Sequence, residues 1–252
     1  MAEQQHLFEY LLRLGDNCLI LGHRLSEWCG HGPALEEDLA LANVALDLIG
    51  QARLWLTLAG QVEGRNRDED ALAYLRDAGE FRNLLLVEQP NGHYGYTTAR
   101  QFYFDAWHYY LLQDLAKSPH PEIAEIAKKS LKEVTYHLER SSDWVVCLGD
   151  GTAESHQRMQ EALDELWIYT GELFAMDAVD HALLNEGIAV DLKRLWELWL
   201  QHVKATLSDA TLTLPKETWM QQGGKQGVHS EHLGYILAEM QFLQRAYPNA
   251  TW

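Results

Sequence analysis

Apolar residues recur at steps of three and four through most of the chain, which is the spacing of amphipathic helices. Alternating apolar stretches typical of strands are nearly absent, so the predicted fold class is all-α. The pattern predicts long helices over residues 5–28, 34–59, 96–117 and 122–148, one beginning near Thr152, and others over 191–207 and 230–246. Residues 71–89 are predicted to hold one or two short helices.

The same spacing assigns the residues that should face a core. The second long helix is predicted to be largely buried, on a stripe of Leu39, Ala42, Leu46, Ile49, Arg53 and Leu56. The helix after Thr152 should bury Met159, Leu163, Leu166, Trp167 and Phe174, and the last helix Leu233, Ile236, Leu237, Met240 and Leu243. The polar residues 60–70, the turn at 89–92, the break at 118–121 and the glycine-rich segment 223–227 are predicted loops.

Composition narrows the class of protein. The 252 residues are 47% hydrophobic, enough for one core, and a single helical domain over residues 1–252 is predicted. Twenty Lys and Arg against 37 Asp and Glu give a formal charge of -17, which opposes binding to nucleic acid or to an anionic membrane. The first residues lack a basic and apolar leader, and no apolar run is expected to approach the roughly 20 residues of a membrane span, so a cytoplasmic location is expected.

A diiron bundle needs two Glu-x-x-His motifs, because residues three apart on a helix share one face and converge on one metal. The two helices best placed to carry them read LDLIGQ at residues 46–51 and KEVTYH at 132–137. Of the four side chains required, only His137 is present. This partial loss predicts a bundle without its metal donors.

Other polar groups compete for a functional role. Asp105 and His108 are three apart amid aromatics, an acceptable metal-ligand spacing, although a buried polar pair that fixes helix register is favoured. Glu133 and His137 are four apart and could share a face, or Glu133 could be a solvated charge.

Four further patterns are interpreted as structural or accidental. The segment 229–232 (HSEH) is explained by a serine cap with an acidic first turn. Glu3 and His6 form an accidental Glu-x-x-His at a fraying terminus, Cys29 near His31 is a weak signal for a thiol enzyme, and the sequon at 249–251 is a chance match. Cys18, Cys29 and Cys147 contain no C-x-x-C pair, which argues against disulfides and zinc.

Four long segments carry a resemblance to a known family. They are RLGDNCLILGHRLSEWCGHGP (13–33), DLALANVALDLIGQAR (38–53), NLLLVEQPNG (83–92) and HSEHLGYILAEMQFLQR (229–245). The chain resembles, over essentially its whole length, the PaaA/PaaC family of helical subunits of the bacterial phenylacetyl-CoA epoxidase. The resemblance implies a ferritin-like long-helix bundle with additional C-terminal helices.

In that family the catalytic subunit, PaaA, holds a diiron centre and binds the CoA thioester, and a separate reductase supplies electrons from NADPH. The resemblance places Leu48 and Gln51 where PaaA has a ligand glutamate and a ligand histidine. It places Val134 at a second ligand glutamate and keeps the histidine as His137. Asp105 matches an acidic residue of the third helix, and Cys18 lies near the position of the first helix glutamate.

Leucine and valine cannot donate to a metal, so this subunit is expected to hold no metal, no cofactor and no catalytic residue of its own. Leu48, Gln51, Asp105, Val134 and His137 are then a degenerate site, filled by apolar packing with hydrogen-bonded Gln51, Asp105 and His137.

The leading hypothesis is therefore a structural subunit that pairs with the diiron subunit PaaA, and with other epoxidase subunits, in an oxygen- and NADPH-dependent monooxygenase, and is no enzyme in isolation. The alternatives are a divergent metal-dependent oxygenase using Asp105, His108, Glu133 and His137, or a CoA-ester binding or regulatory module. Trp196 and Trp199 fit either an interface or a core.

Overall fold

The computed structural model describes residues 2–248 and 250, so the sequon residues Asn249 and Thr251 lie outside it. Within the described residues the chain is helical and contains no strand. The helices are α1 (Ala2–Ser26), α2 (Leu35–Glu63), α3 (Glu69–Tyr74), α4 (Leu85–Glu88), α5 (Tyr94–Leu115), α6 (Pro121–Gly149), α7 (Ala153–Leu166), α8 (Ala178–Asn185), α9 (Leu192–Asp209), α10 (Glu231–Met240) and α11 (Phe242–Ala246). The predicted all-α, ferritin-like class is confirmed.

The chain forms two compact units, each built on one pair of long helices. The first unit comprises Met1–Pro90 and Gly223–Trp252 and contains the pair α1 and α2. The second unit, Asn91–Gln222, contains the pair α5 and α6, with α7 and α9 packed on α5. A single domain over residues 1–252 stays a prediction.

Two glycines allow the close approach of α1 and α2. A Cβ atom added at Gly15 would lie 2.7 Å from Leu56 Cδ2, and one added at Gly22 would lie 2.9 Å from Ile49 Cγ1. Both distances are shorter than the contact distance of two carbon atoms. The two helices can approach this closely only because α1 has glycine at both positions. This contact fixes which face of α2 is buried.

The predicted loop 60–70 is shorter than expected, because α2 continues to Glu63. Its end is set by Gly64, which adopts the left-handed conformation at φ 69° and donates its N–H to Gly60 O at 3.1 Å. The next helix, α3, begins after Asp68, whose carboxylate accepts from Ala71 N at 2.8 Å. The pattern of apolar residues did not show the extension, since the last turn of α2 is polar.

In the second unit the helix predicted from Thr152 begins as expected but ends early. The Thr152 hydroxyl accepts from Ser155 N at 3.1 Å, which confirms the cap. The helix α7 stops at Leu166, and Trp167 and Phe174 lie in two short 3-10 turns. Their assignment to one continuous helix was wrong, because the Thr170 hydroxyl donates to Trp167 O and competes with helical hydrogen bonding.

The last predicted helix is interrupted at Gln241, which separates α10 from α11. The Gln241 side-chain amide is buried and donates to Ala73 O and Arg76 O, both at 3.0 Å. The break changes the direction of the residues that follow. Leu243 is consequently exposed, and its predicted inward position was wrong.

The stripe assigned to the core of α2 was also wrong at three of its six positions, because Leu39, Leu46 and Arg53 are exposed. Leu39 is 56% exposed and Leu46 is 67% exposed. The helix instead buries another face, which includes Val44, Leu48 and Trp55. Apolar residues occupy more than one face of α2, so periodicity alone could not show which of these faces is buried.

By length and composition, α2 could cross a membrane, with a mean hydropathy of 1.2 over its best window. The expectation that no apolar run approaches that length was therefore wrong for this helix. Asp47 and Arg53 lie near its middle, and its buried face packs against α1, as in the core helix of a bundle. The cytoplasmic location stays a prediction.

Candidate functional site

Leu48, Gln51 and Cys18 form the part of the degenerate site that lies in the first unit. Leu48 is fully buried on α2, at the position of Gly22 of α1. One turn later, Gln51 accepts a hydrogen bond from the Cys18 thiol of α1, with a sulfur to oxygen distance of 3.9 Å. The first unit therefore offers an aliphatic side chain, a neutral amide and a thiol at the positions predicted to correspond to metal ligands.

Asp105, Val134 and His137 form the part that lies in the second unit. Asp105 on α5 is fully buried and accepts from Gln101 Nε2 at 2.8 Å. His137 on α6 is close enough for its charge to act on the Asp105 carboxyl. Val134, one turn before His137, is 0% exposed. The structure thus brings the predicted aspartate and histidine close enough to interact, and Val134, on the same helix as His137, is buried.

Burial dominates the proton equilibria of this cluster. It raises the pKa of Asp105 to about 6, an effect opposed by the charge of His137 and by hydrogen bonds from Ser141 and Gln101. Burial, together with the charge of His137, lowers the pKa of His108 to about 3. His108 is therefore neutral at physiological pH, and the Asp105 carboxylate is held in an environment that disfavours its charge.

This environment gives a pH-dependent prediction for Asp105→Asn. The pKa of Asp105 in the folded protein lies above the ordinary value of 3.8, so its negative charge destabilises the fold. This destabilisation is absent below about pH 3.8 and complete above about pH 6, where it reaches roughly 3 kcal/mol. The amide keeps an acceptor for Gln101. We expect Asp105→Asn to raise the free energy of unfolding by about 1–3 kcal/mol at pH 7.5 and to lose that gain by pH 4.

Urea unfolding followed by circular dichroism across this pH range measures the effect. Asp143→Asn, on the exposed face of α6, is the control and should change little at any pH. A decrease in stability at pH 7.5 would show that the Asp105 charge is stabilised by the fold.

The residues do not fit a diiron centre. Such a centre requires about four carboxylates and two imidazoles around two cations, and Leu48 and Val134 supply no donor atom. In the part of the chain that the structure describes, no group of three or more His, Cys, Asp and Glu side chains is placed to hold a metal ion. That this subunit binds no metal stays a prediction.

Buried carboxylates elsewhere in the first unit already have partners. Asp16, two residues before Cys18 on α1, forms a fully buried ion pair with Arg76 and accepts from Arg82 N at 2.8 Å. Glu88 accepts from Asn83 Nδ2 at 3.1 Å and from His229 Nδ1 at 3.0 Å. These carboxylates are committed to holding the unit together.

The role of His229 was missed from the sequence. Its second ring nitrogen contacts Phe81 O at 3.1 Å, and the next backbone N–H, that of Ser230, donates to Glu88 Oε1 at 2.7 Å. The interpretation of Ser230 as a side-chain cap was wrong, because its hydroxyl makes no cap hydrogen bond and the buried Glu88 takes the backbone N–H instead. No sequence signal links residues that lie 141 positions apart.

The remaining candidates take structural positions. Trp199 is fully buried and donates to Tyr103 O at 3.0 Å, so it belongs to the core, whereas Trp196 is half-buried beside it. The three cysteines are present as thiols, with Cys18 buried and Cys29 and Cys147 exposed. The His31 ring contacts the carbonyl oxygen of Cys29 at 3.2 Å.

A cleft of about 540 Å³ lies between α10, α11 and Asp77. Its cationic residue is Arg245. The guanidinium of Arg245 pairs with Asp77 at 2.9 Å and donates to Tyr74, Leu75 and Arg76 carbonyls. It is thus engaged in joining α11 to the segment after α3, which leaves a poor cradle for the phosphates of CoA.

The fold is that of a ferritin-like helical chain, and two of the positions predicted to correspond to metal ligands, Leu48 and Val134, carry buried aliphatic side chains. The model of a family described as "Phenylacetic acid catabolic protein" (PaaA_PaaC) matches residues 1–252. The chain therefore belongs to this family. It is 53% identical over 246 residues to the C subunit of 1,2-phenylacetyl-CoA epoxidase from Escherichia coli (strain K12), with 98% of this chain and 99% of that protein covered.

Proposed function

We propose that the chain is the non-catalytic structural subunit of a multicomponent phenylacetyl-CoA epoxidase in aerobic phenylacetate catabolism. In this role it pairs with the diiron catalytic subunit, PaaA, and stabilises it, while a reductase component delivers electrons from NADPH. The assembly would be cytoplasmic and would contain other epoxidase subunits. The similarity to the C subunit of the Escherichia coli epoxidase supports the assignment to the complex.

The observation that carries the non-catalytic role is the pair of fully buried aliphatic side chains, Leu48 and Val134. Each stands where the catalytic member of the family has a ligand glutamate. Neither can bind iron, and the burial of both leaves no space for a water-bound metal in their place. The helices that would carry the ligands remain, so the fold serves to present surfaces to partners, and an obligate interface of this kind buries roughly 2,000 Å² or more.

The proposal is tested by reconstitution with purified subunits. The chain alone, supplied with reductase, NADPH, oxygen and phenylacetyl-CoA, is expected to give no epoxide and to contain substoichiometric iron. Adding the catalytic subunit should give turnover and a stable complex on gel filtration. Stoichiometric iron in the isolated chain, or epoxide without the catalytic subunit, would contradict the proposal.

The variant Asp105→Asn distinguishes the structural subunit from a divergent oxygenase, in which Asp105 would bind a metal. For a structural subunit, we expect the reconstituted complex to retain activity within about 2-fold, whereas loss of a metal ligand costs on the order of 100-fold or more. For the CoA-ester binding alternative, titration calorimetry of the isolated chain with phenylacetyl-CoA is expected to give no appreciable heat.

A further inference from the structure

The turn before α5 contains an asparagine followed directly by a glycine, Asn91 and Gly92, and this dipeptide occurs once in the chain. Asparagine and glycine in this order can react with each other, because the backbone nitrogen of the glycine can attack the side-chain amide carbon of the asparagine. The reaction replaces the amide by a carboxylate. The contacts that the fold makes with these two residues decide whether the reaction is slowed or accelerated.

The attacking nitrogen, that of Gly92, is accessible to solvent. Gly92 is exposed, and within the described residues its N–H donates to no acceptor, so hydroxide can reach it and remove its proton. Gly92 adopts φ 56°, and a Cβ atom there would lie 3.1 Å from the Cβ atom of Tyr96. The turn therefore requires glycine, and the missing side chain also leaves the nitrogen unhindered.

The side-chain carbonyl of Asn91 is held by a buried cation. Arg100 on α5 is 0% exposed, and its Nη2 atom donates to Asn91 Oδ1 at 2.7 Å. Attack on the amide carbon places negative charge on this oxygen. A guanidinium that already donates to the atom where the charge develops acts as an oxyanion donor, and loss of one such donor in an enzyme slows the reaction about 100- to 1,000-fold.

We propose that Asn91 and Gly92 form a self-modification site, at which the chain converts Asn91 into aspartate with Arg100 as the oxyanion donor. The deprotonated Gly92 nitrogen bonds to Asn91 Cγ, and an electron pair of the C=O bond moves to Oδ1. When the pair returns, the Cγ–Nδ2 bond breaks and ammonia leaves with a proton from water. Water then opens the remaining cyclic imide, so one water is consumed in total and one ammonia is released. The reaction is redox-neutral and does not depend on the proposed role in an epoxidase.

The same contacts select the product of ring opening. Water that attacks the former side-chain carbonyl gives aspartate, whereas water that attacks the Asn91 backbone carbonyl gives isoaspartate. Arg100 donates to the first of these oxygens, and the second accepts from the neutral Thr97 hydroxyl at 2.8 Å. A charged donor polarises a carbonyl more strongly than a neutral one. We therefore expect aspartate to predominate, and its carboxylate to pair with Arg100.

Peptide mass spectrometry of the purified full chain, incubated folded and in guanidinium chloride at the same pH and temperature, tests the proposal. We expect Asn91 to be lost at least about 10-fold faster in the folded chain, because only folding brings Arg100 to Oδ1. Fragment spectra that distinguish the two products should show mainly aspartate in the folded chain and a higher share of isoaspartate in denaturant. Asn66, which also has a positive φ of 59° but precedes an arginine, is the internal control and should remain unmodified.

The variant Arg100→Gln tests the oxyanion donor. It removes the positive charge and should lower the rate in the folded chain to that measured in denaturant. Arg140→Gln is the matched control, because Arg140 is an arginine of the same unit that donates to Tyr94 Oη at the start of α5, at 3.1 Å. This control should keep the wild-type rate. Circular dichroism shows whether each variant is folded, and if Arg100→Gln does not fold, the wild-type comparison decides alone.

Three outcomes would overturn the proposal. The first is a folded wild type in which Asn91 survives as long as in denaturant, or longer, because the fold would then protect the residue. The second is a folded Arg100→Gln variant that reacts at the wild-type rate. The third is a folded wild type that yields mainly isoaspartate, which would contradict the role assigned to Arg100.

Discussion

Replacing Asp16 by alanine is expected to lower the free energy of unfolding by about 3–5 kcal/mol. Asp16 and Arg76 form an ion pair in which the side chains are 0% and 1% exposed. Removal of the carboxylate leaves the guanidinium buried without its counter-charge, and water cannot replace it. Arg82 N also loses its acceptor, which adds to the cost.

The guanidinium is fixed by more than the carboxylate. Arg76 Nη1 donates to Glu80 O at 3.0 Å, and its Cζ lies 4.2 Å from the centre of the Phe81 ring. These contacts hold the charge in place when Asp16 is lost, so the protein cannot relieve it by turning the side chain out. The double variant Asp16→Ala with Arg76→Met removes both charges and should recover about 1–3 kcal/mol of the loss.

Urea unfolding of the two single variants and the double variant gives the coupling energy directly. The control is Arg158→Ala, which breaks the exposed pair between Arg158 and Glu154 at 2.6 Å and should cost less than about 0.5 kcal/mol. A loss of similar size for Asp16→Ala and Arg158→Ala would mean that water reaches Arg76 in the folded state.

The sequence was sufficient to predict the class and the long helices, because these depend on local spacing. The ends of α5 and α6 lie within two residues of their predicted positions, since His93 and Pro121 start them and glycine or proline follows. The exposed Leu39 and Leu46 could not be foreseen. Which face of a helix is buried depends on its neighbour, and here Gly15 and Gly22 of α1 decide it.

For the site, the sequence could show absences but not the interactions that replace them. A missing donor at Leu48 or Val134 is visible in the residue type alone. The buried pairs of Asp16 with Arg76 and Glu88 with His229 join segments 60 and 141 residues apart, and no local pattern marks them. The sequence did not predict the contact of Cys18 with Gln51 either. It indicated only that Cys18 lies near the position that the resemblance assigns to the first helix glutamate.

The chemistry of the replacements is consistent along the chain. At the two positions that the resemblance aligns with ligand carboxylates of PaaA, this chain has Leu48 and Val134. The first unit holds the Cys18 thiol and the Gln51 amide together with Leu48, and the second unit holds the His137 imidazole together with Val134. These groups can be buried without a counter-ion, whereas a carboxylate set without metal would repel itself. Asp105 is the exception, and its raised pKa reflects the cost of keeping one carboxyl there.

Introducing a carboxylate at Val134 is therefore expected to destabilise the protein without creating a metal site. Val134 is 0% exposed, and a glutamate in such an environment has its pKa raised by about 3 units, which corresponds to about 4 kcal/mol at pH 7.5. The cost should fall as the pH approaches 5, because the carboxyl then takes up a proton. Iron should stay substoichiometric, since Leu48 still supplies no donor.

Thr135→Glu is the matched control for Val134→Glu. It introduces the same side chain and the same charge one position further along α6, where the residue is only half-buried, and it should cost less than about 1 kcal/mol. Unfolding curves at pH 5 and 7.5 measure the stability of both variants, and iron analysis shows whether either of them binds metal. The contrary result is a Val134→Glu variant that is as stable as the control and binds iron. The space around Val134 would then be a hydrated and vacant metal site instead of a packed core. The proposed structural role of the subunit would lose its main support.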